Sequence, residues 1–127
     1  MLVSEKKELL MLIKKFKLIG KYKTFYTIEP GVMFTSHDQM IIVENLLNDC
    51  CRDIINILEE QKRPRKTDIK IACIKCMDDI TNVNINTENR EFAYELCWYL
   101  AEKSGIDLIR SSAKKKWGYF SPKITNW

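Results

Sequence analysis

The sequence predicts an all-α fold: one domain over residues 1–127, built as a bundle of about four main helices with an aromatic connector and a C-terminal tail packed on it. Three observations carry this expectation. Apolar residues recur at three- and four-residue steps through four separate segments, the pattern of helices that each turn one face inward. Only 4 Gly and 3 Pro punctuate 127 residues, too few for a loop-rich or low-complexity chain. A composition of 46% hydrophobic and 30% charged residues is that of a folded domain with a single core at this length.

The first helix is expected over residues 4–19, with Ser4 as N-cap and Glu5 in the first turn, carrying Leu9, Ile13 and Phe16 up to Gly20. Residues 21–35 mix Tyr22, Phe25 and Tyr26 with Pro30 and Gly31, which reads as a connector lying over the core. Ser36-His37-Asp38-Gln39 has the form of a capping box and opens a second helix over 37–61. Val43, Leu47, Cys50, Ile54 and Leu58 form its stripe, and Met40, Leu46, Cys51, Ile55 and Ile57 widen it, so this helix is expected at the centre.

Lys62-Arg63-Pro64-Arg65-Lys66 ends that helix, because proline cannot continue it. Thr67-Asp68 then caps a third helix over 67–81, whose stripe is Ile69, Ala72, Cys73, Cys76, Met77 and Ile80. After a polar bridge over 82–86, Thr87-Glu88 opens a fourth helix over 87–103 carrying Phe92, Ala93, Leu96, Cys97, Leu100 and Ala101, and Gly105 suits its C′ position. The tail holds Ile106, Leu108, Ile109, Trp117, Tyr119, Phe120 and Trp127, aromatic enough to fold back onto the helices.

Charge is unevenly spread. Residues 1–23 carry a net +5, residues 24–102 a net −6 and residues 103–127 a net +5. Two basic ends around an acidic middle suit steering toward a charged partner rather than any particular fold. The longest apolar runs, such as Met40-Ile41-Ile42-Val43, fall far short of the roughly 20 residues that span a bilayer. No membrane association is expected. Five cysteines, an odd number, follow an N-terminus that turns polar at Ser4-Glu5, so a reducing cytoplasm is the expected setting.

Candidate chemistry is sparse. Cys73 and Cys76 share a helix face and would ligate zinc if Cys50, Cys51 or Cys97 supplied more thiolates, but each also falls on or beside an apolar stripe. The expectation is that Cys50, Cys73, Cys76 and Cys97 are reduced, metal-free and mostly buried. His37 sits beside an N-cap with no nucleophile tied to it by spacing, and Asp49 with Asp53 or Asp78 with Asp79 lack an EF-hand loop or a histidine partner. No catalytic residue, cofactor or metal is assigned, and the chain is expected not to be an enzyme.

Thr87-Glu88-Asn89-Arg90-Glu91, then Leu96 and Tyr99, Gly105-Ile106, Ser111-Ser112 and Trp117-Gly118-Tyr119 together form a pattern over residues 64–120. This pattern resembles a family of small bacterial proteins known only as a domain of unknown function, marked by a Thr-Glu-x-Arg-Glu helix start and a C-terminal Trp and Tyr. The sequence departs from it after Ser111, where Ser112-Ala113 and three lysines replace a Ser-Gly-Gly turn. The resemblance implies a small helical bacterial protein and no established activity. Physically, Thr87 suits a cap, Glu88 and Glu91 suit the helix N-terminal dipole, and Arg90 is placed to pair with Glu91 or Asp78.

By size and composition, rich in Ile, Lys and Asn and without catalytic residues, the chain resembles the immunity proteins that neutralise contact-dependent or other polymorphic toxins, an analogy rather than a motif. The expected function is therefore non-catalytic binding of a cognate protein toxin, with partner-binding residues among Asp49, Asp53, Glu95, Lys114, Lys115, Lys116 and Trp117. The alternative is a nucleic-acid-binding regulatory module that uses the basic clusters 62–66 and 114–116, with Trp117 or Tyr119 stacking on a base.

Overall fold

The structure is a computed structural model that describes residues 1–25 and 36–108. Five helices occur in these residues: α1 (Val3–Leu18), α2 (Lys21–Phe25), α3 (His37–Glu60), α4 (Lys66–Asn82) and α5 (Thr87–Lys103). No strand occurs among the described residues. The four long helices lie where the periodicity places them. The first turn of the expected connector is α2, whereas 26–35 and the tail from 109 onward lie outside the described residues.

α3 packs against α1, α4 and α5, and α5 also packs on α4, so the widest apolar surface of the sequence does occupy the centre. Val43, Leu47, Ile54 and Leu58 of α3, Ile13 and Phe16 of α1, Ile69, Met77 and Ile80 of α4 and Leu96 of α5 are wholly buried in one shared core. Covering a side chain of this size removes enough apolar surface to contribute about 1.5–3 kcal/mol. Ile106 and Leu108, the first apolar residues of the tail, are buried on the same core.

The helix ends depart from the sequence expectation in four places. α1 begins after Leu2 with no side-chain cap, leaving Ser4 inside the first turn. At the start of α4 the N-cap is Arg65, whose side chain meets the Asp68 carboxylate at 3.2 Å, so Thr67-Asp68 does not cap. At the start of α5 Asn86 displaces Thr87, its Oδ1 accepting from the Asn89 amide at 2.9 Å. Ser36 does cap α3, its Oγ accepting from the Gln39 amide at 3.2 Å. Gln39, however, sends its Oε1 to the Asn86 backbone amide (2.8 Å) and the Asn89 side chain (3.0 Å), a tertiary contact where a local box is expected.

Gly105 holds the expected C′ position with φ of 76°. Ile106 N–H donates to the Ala101 carbonyl at 2.8 Å and Gly105 N–H to that of Glu102 at 3.0 Å, the paired bonds of a Schellman ending. This turn reverses the chain and delivers Ile106 and Leu108 to the core.

Candidate functional site

α3 and α4 run side by side, and their seam carries a groove bordered by Asp49 and Asp53 of α3 and by Lys75 and Asp79 of α4, with Cys50 and Cys76 at its floor. Asp49 and Asp53 reach the same seam because residues four apart lie one turn apart on a helix. Lys75 lies between the carboxylates, 3.4 Å from Asp79 and 3.9 Å from Asp53, while Arg52 reaches Asp49 at 3.3 Å. Asp79 first, with Asp53 and Asp49 adding to it, holds the Lys75 ammonium above its ordinary value. The other expected acidic residue, Glu95, lies on α5 and does not line this groove.

Lys62, Arg63 and Arg65 on the α3–α4 connection and Lys66 at the start of α4 are all exposed, around a buried Pro64. Lys66 approaches the C-terminal end of α5, where a mixed-charge cleft of about 320 Å³ is lined by Glu5, Glu8, Leu9, Leu12, Lys66 and Lys103. Lys114, Lys115, Lys116 and Trp117 lie outside the described residues. His37 is exposed on the first turn of α3.

All five cysteines are reduced and buried, as the stripes predict. Their mutual arrangement is new. The Sγ atoms of Cys50, Cys76 and Cys97, from three different helices, lie within 4.8 Å of one another. Cys50 Sγ donates to the Ala72 carbonyl and Cys76 Sγ to the Leu46 carbonyl, both at 3.9 Å, and Cys97 Sγ to the Cys73 carbonyl at 3.5 Å. The neighbouring Cys50 and Cys97 thiols hold Cys76 below its ordinary value, whereas the nearness of Cys50 and Cys76, with burial, pushes Cys97 well up. Burial raises Cys51, which is not among the three.

Two polar features of the interior escape periodicity altogether. Lys21 is fully buried, its ammonium donating to the Lys17 carbonyl and Asn48 Oδ1 and lying 3.6 Å from the Glu44 carboxylate and 5.4 Å from the Phe16 ring centre. The Glu44 Oε1 also accepts the Lys21 and Tyr22 amides at the start of α2. Asn89 is equally buried and joins α2, α3 and α5. A Gly-Lys break between two apolar segments was the sole trace of Lys21, and lysine in that context reads as solvated.

The guanidinium of Arg90 donates to the carbonyls of Ile80, Thr81, Val83 and Ile85. It thus closes the α4–α5 turn, where the sequence suggested a carboxylate partner. Among the described residues no helix is long and apolar enough to cross a membrane. No protein-family model, no curated protein and no solved structure matches the chain.

Proposed function

We propose that this chain is a non-catalytic protein-binding protein of the immunity type, which neutralises a cognate toxin by presenting the acidic α3–α4 groove to a basic surface. The observation that carries this reading is the convergence of Asp49, Asp53 and Asp79, from two packed helices, on one groove. Arg52 and Lys75 offset two of those three carboxylates, which leaves the groove net acidic. Such a patch raises encounter rates with a basic partner, and helices locked by a shared core lose little freedom on docking.

The test is direct. The product of the reading frame immediately before this chain's own is mixed with it and run on a sizing column with light scattering. A stable one-to-one complex is expected, with an interface on the order of 1,600 Å². Asp49→Lys with Asp53→Lys slows association at least about tenfold at low salt and flattens its salt dependence. Unchanged association by this double variant overturns the acidic-groove reading.

The exposed cluster Lys62, Arg63, Arg65 and Lys66 favours a second reading, duplex binding through phosphates. In that case the same double variant binds duplex as before. Replacing Lys62 and Lys66 by Ala instead lowers the slope of log affinity against log salt by about 0.9 per lost contact.

A further inference from the structure

The three thiols of Cys50, Cys76 and Cys97 meet in the centre of the bundle, one each from α3, α4 and α5. A small hydrophobe in a core needs only apolar neighbours; it does not need two others of its own kind with their sulfurs within 4.8 Å. From these positions we infer that the cluster is a binding site for one thiophilic d10 cation, Zn²⁺ or Cu⁺.

Donor chemistry supports the class. Only sulfur converges in the cluster, and soft thiolates select Cu⁺ and Zn²⁺ over the oxygen-seeking Mg²⁺ and Ca²⁺. With metal–sulfur bonds of about 2.3 Å, thiolates sharing a tetrahedral ion stand about 3.8 Å apart. The observed limit of 4.8 Å requires each Sγ to move by less than about 1 Å, within the reach of a small χ1 rotation.

Two independent features frame the cluster. Cys73, one turn before Cys76 on the same helix, stands outside the group of three but adjoins the Cys50 thiol, so a rotation of its side chain would bring it in as a fourth donor. The Asp49, Asp53 and Asp79 carboxylates, with Lys75 among them, border the narrow groove whose floor is made by Cys50 and Cys76, so net negative charge stands over the thiols on that side of the bundle. Binding replaces S–H bonds by metal–sulfur bonds, and each displaced proton passes to solvent, so affinity falls as pH is lowered. The two ions differ in coordination number: Zn²⁺ takes four thiolates and recruits Cys73, whereas Cu⁺ is served by the three clustered thiols.

The experiment uses the full chain, purified with a phosphine reductant and freed of metal. It is titrated separately with Zn²⁺ against a chromophoric chelator, with Co²⁺ as a visible reporter of thiolate ligation, and with Cu⁺ against a cuprous chelator. One equivalent of Zn²⁺ or Cu⁺ is expected to bind, and Cys76→Ala to lose at least about a hundredfold in affinity. Cys51→Ala, equally buried on α3 but outside the cluster, is expected to bind as the parent does, with far-UV circular dichroism confirming that both variants fold. Cys73→Ala distinguishes the ions, weakening Zn²⁺ and the Co²⁺ charge-transfer band but leaving Cu⁺ unchanged. Failure of the reduced, folded parent to retain either ion against micromolar chelator overturns the site, as does equal binding by Cys76→Ala and Cys51→Ala. Neither outcome bears on toxin binding, which is read from complex formation.

Discussion

The Tyr22 hydroxyl donates to Asn89 Oδ1 at 2.6 Å, joining α2 to the first turn of α5 across 67 positions of sequence. Asn89 in turn donates its side-chain amide to Gln39 Oε1 at 3.0 Å and Asn86 Oδ1 at 2.8 Å, so the buried amide has both its donor and acceptor sides filled. The Tyr22 ring completes the joint by packing on Phe92, with ring centres 4.6 Å apart.

Tyr22→Phe keeps the ring contact and removes the donor. It is expected to cost about 1–2 kcal/mol, since a buried carbonyl oxygen loses its partner. Asn89→Ala removes the hub and is expected to cost about 3 kcal/mol. Urea unfolding with an unchanged m-value checks both, and a loss below about 0.5 kcal/mol for Tyr22→Phe means the bond adds nothing net.

Burial, opposed by the Glu44 carboxylate, lowers the Lys21 ammonium from its ordinary 10.5. The unfolded chain therefore binds more protons between the lowered folded value and 10.5, and the Lys21 contribution to stability rises with pH through that window. Lys21→Met strips Glu44 and Asn48 of their cation and is expected to cost about 1–3 kcal/mol at pH 7, less than a wholly buried pair because Glu44 is partly exposed. The gap between parent and variant should widen from pH 7 toward 10.5. A gap that narrows shows a folded value raised rather than lowered.

Arg90 holds the end of α4 by donating to Ile80 and Thr81, two of the carbonyls that a helix C-terminus leaves without intrahelical partners. Lysine keeps the charge but not the planar fork, so Arg90→Lys is expected to cost about 1–2 kcal/mol and Arg90→Ala about 2–3 kcal/mol. Amide hydrogen exchange in the last turn of α4 should accelerate in both, ahead of exchange at Leu47 or Ile54. Uniform acceleration across the core points to a global effect and against a terminal clamp.

At φ of 76° Gly105 occupies the left-handed region, which an alanine enters at a cost of about 1 kcal/mol. An added Cβ meets Lys66 Nζ at 3.0 Å, the far end of a long side chain that can swing aside. Gly105→Ala should therefore lower Tm by about 3–5 °C without loss of cooperativity. A drop well beyond that range places the strain in the delivery of Ile106 and Leu108 to the core.

The four long helices, the central place of α3 and the Gly105 ending were all legible in the chain, because each rests on a period or a residue type read within one turn or stripe. The cap positions were not. Asn86 and Thr87 are both competent caps, and the choice fell to Asn86 because Gln39, 47 positions away, accepts its amide. The acidic groove was half legible: Asp49 and Asp53 share a face by their spacing, but Asp79 joins them only once α3 and α4 pack in one register. The same holds for Lys21 and for the thiols. A stripe states that Cys50, Cys76 and Cys97 point inward, whereas the rotation and height of three helices about their own axes decide whether inward-pointing sulfurs meet, and that relation is set by packing across the whole core.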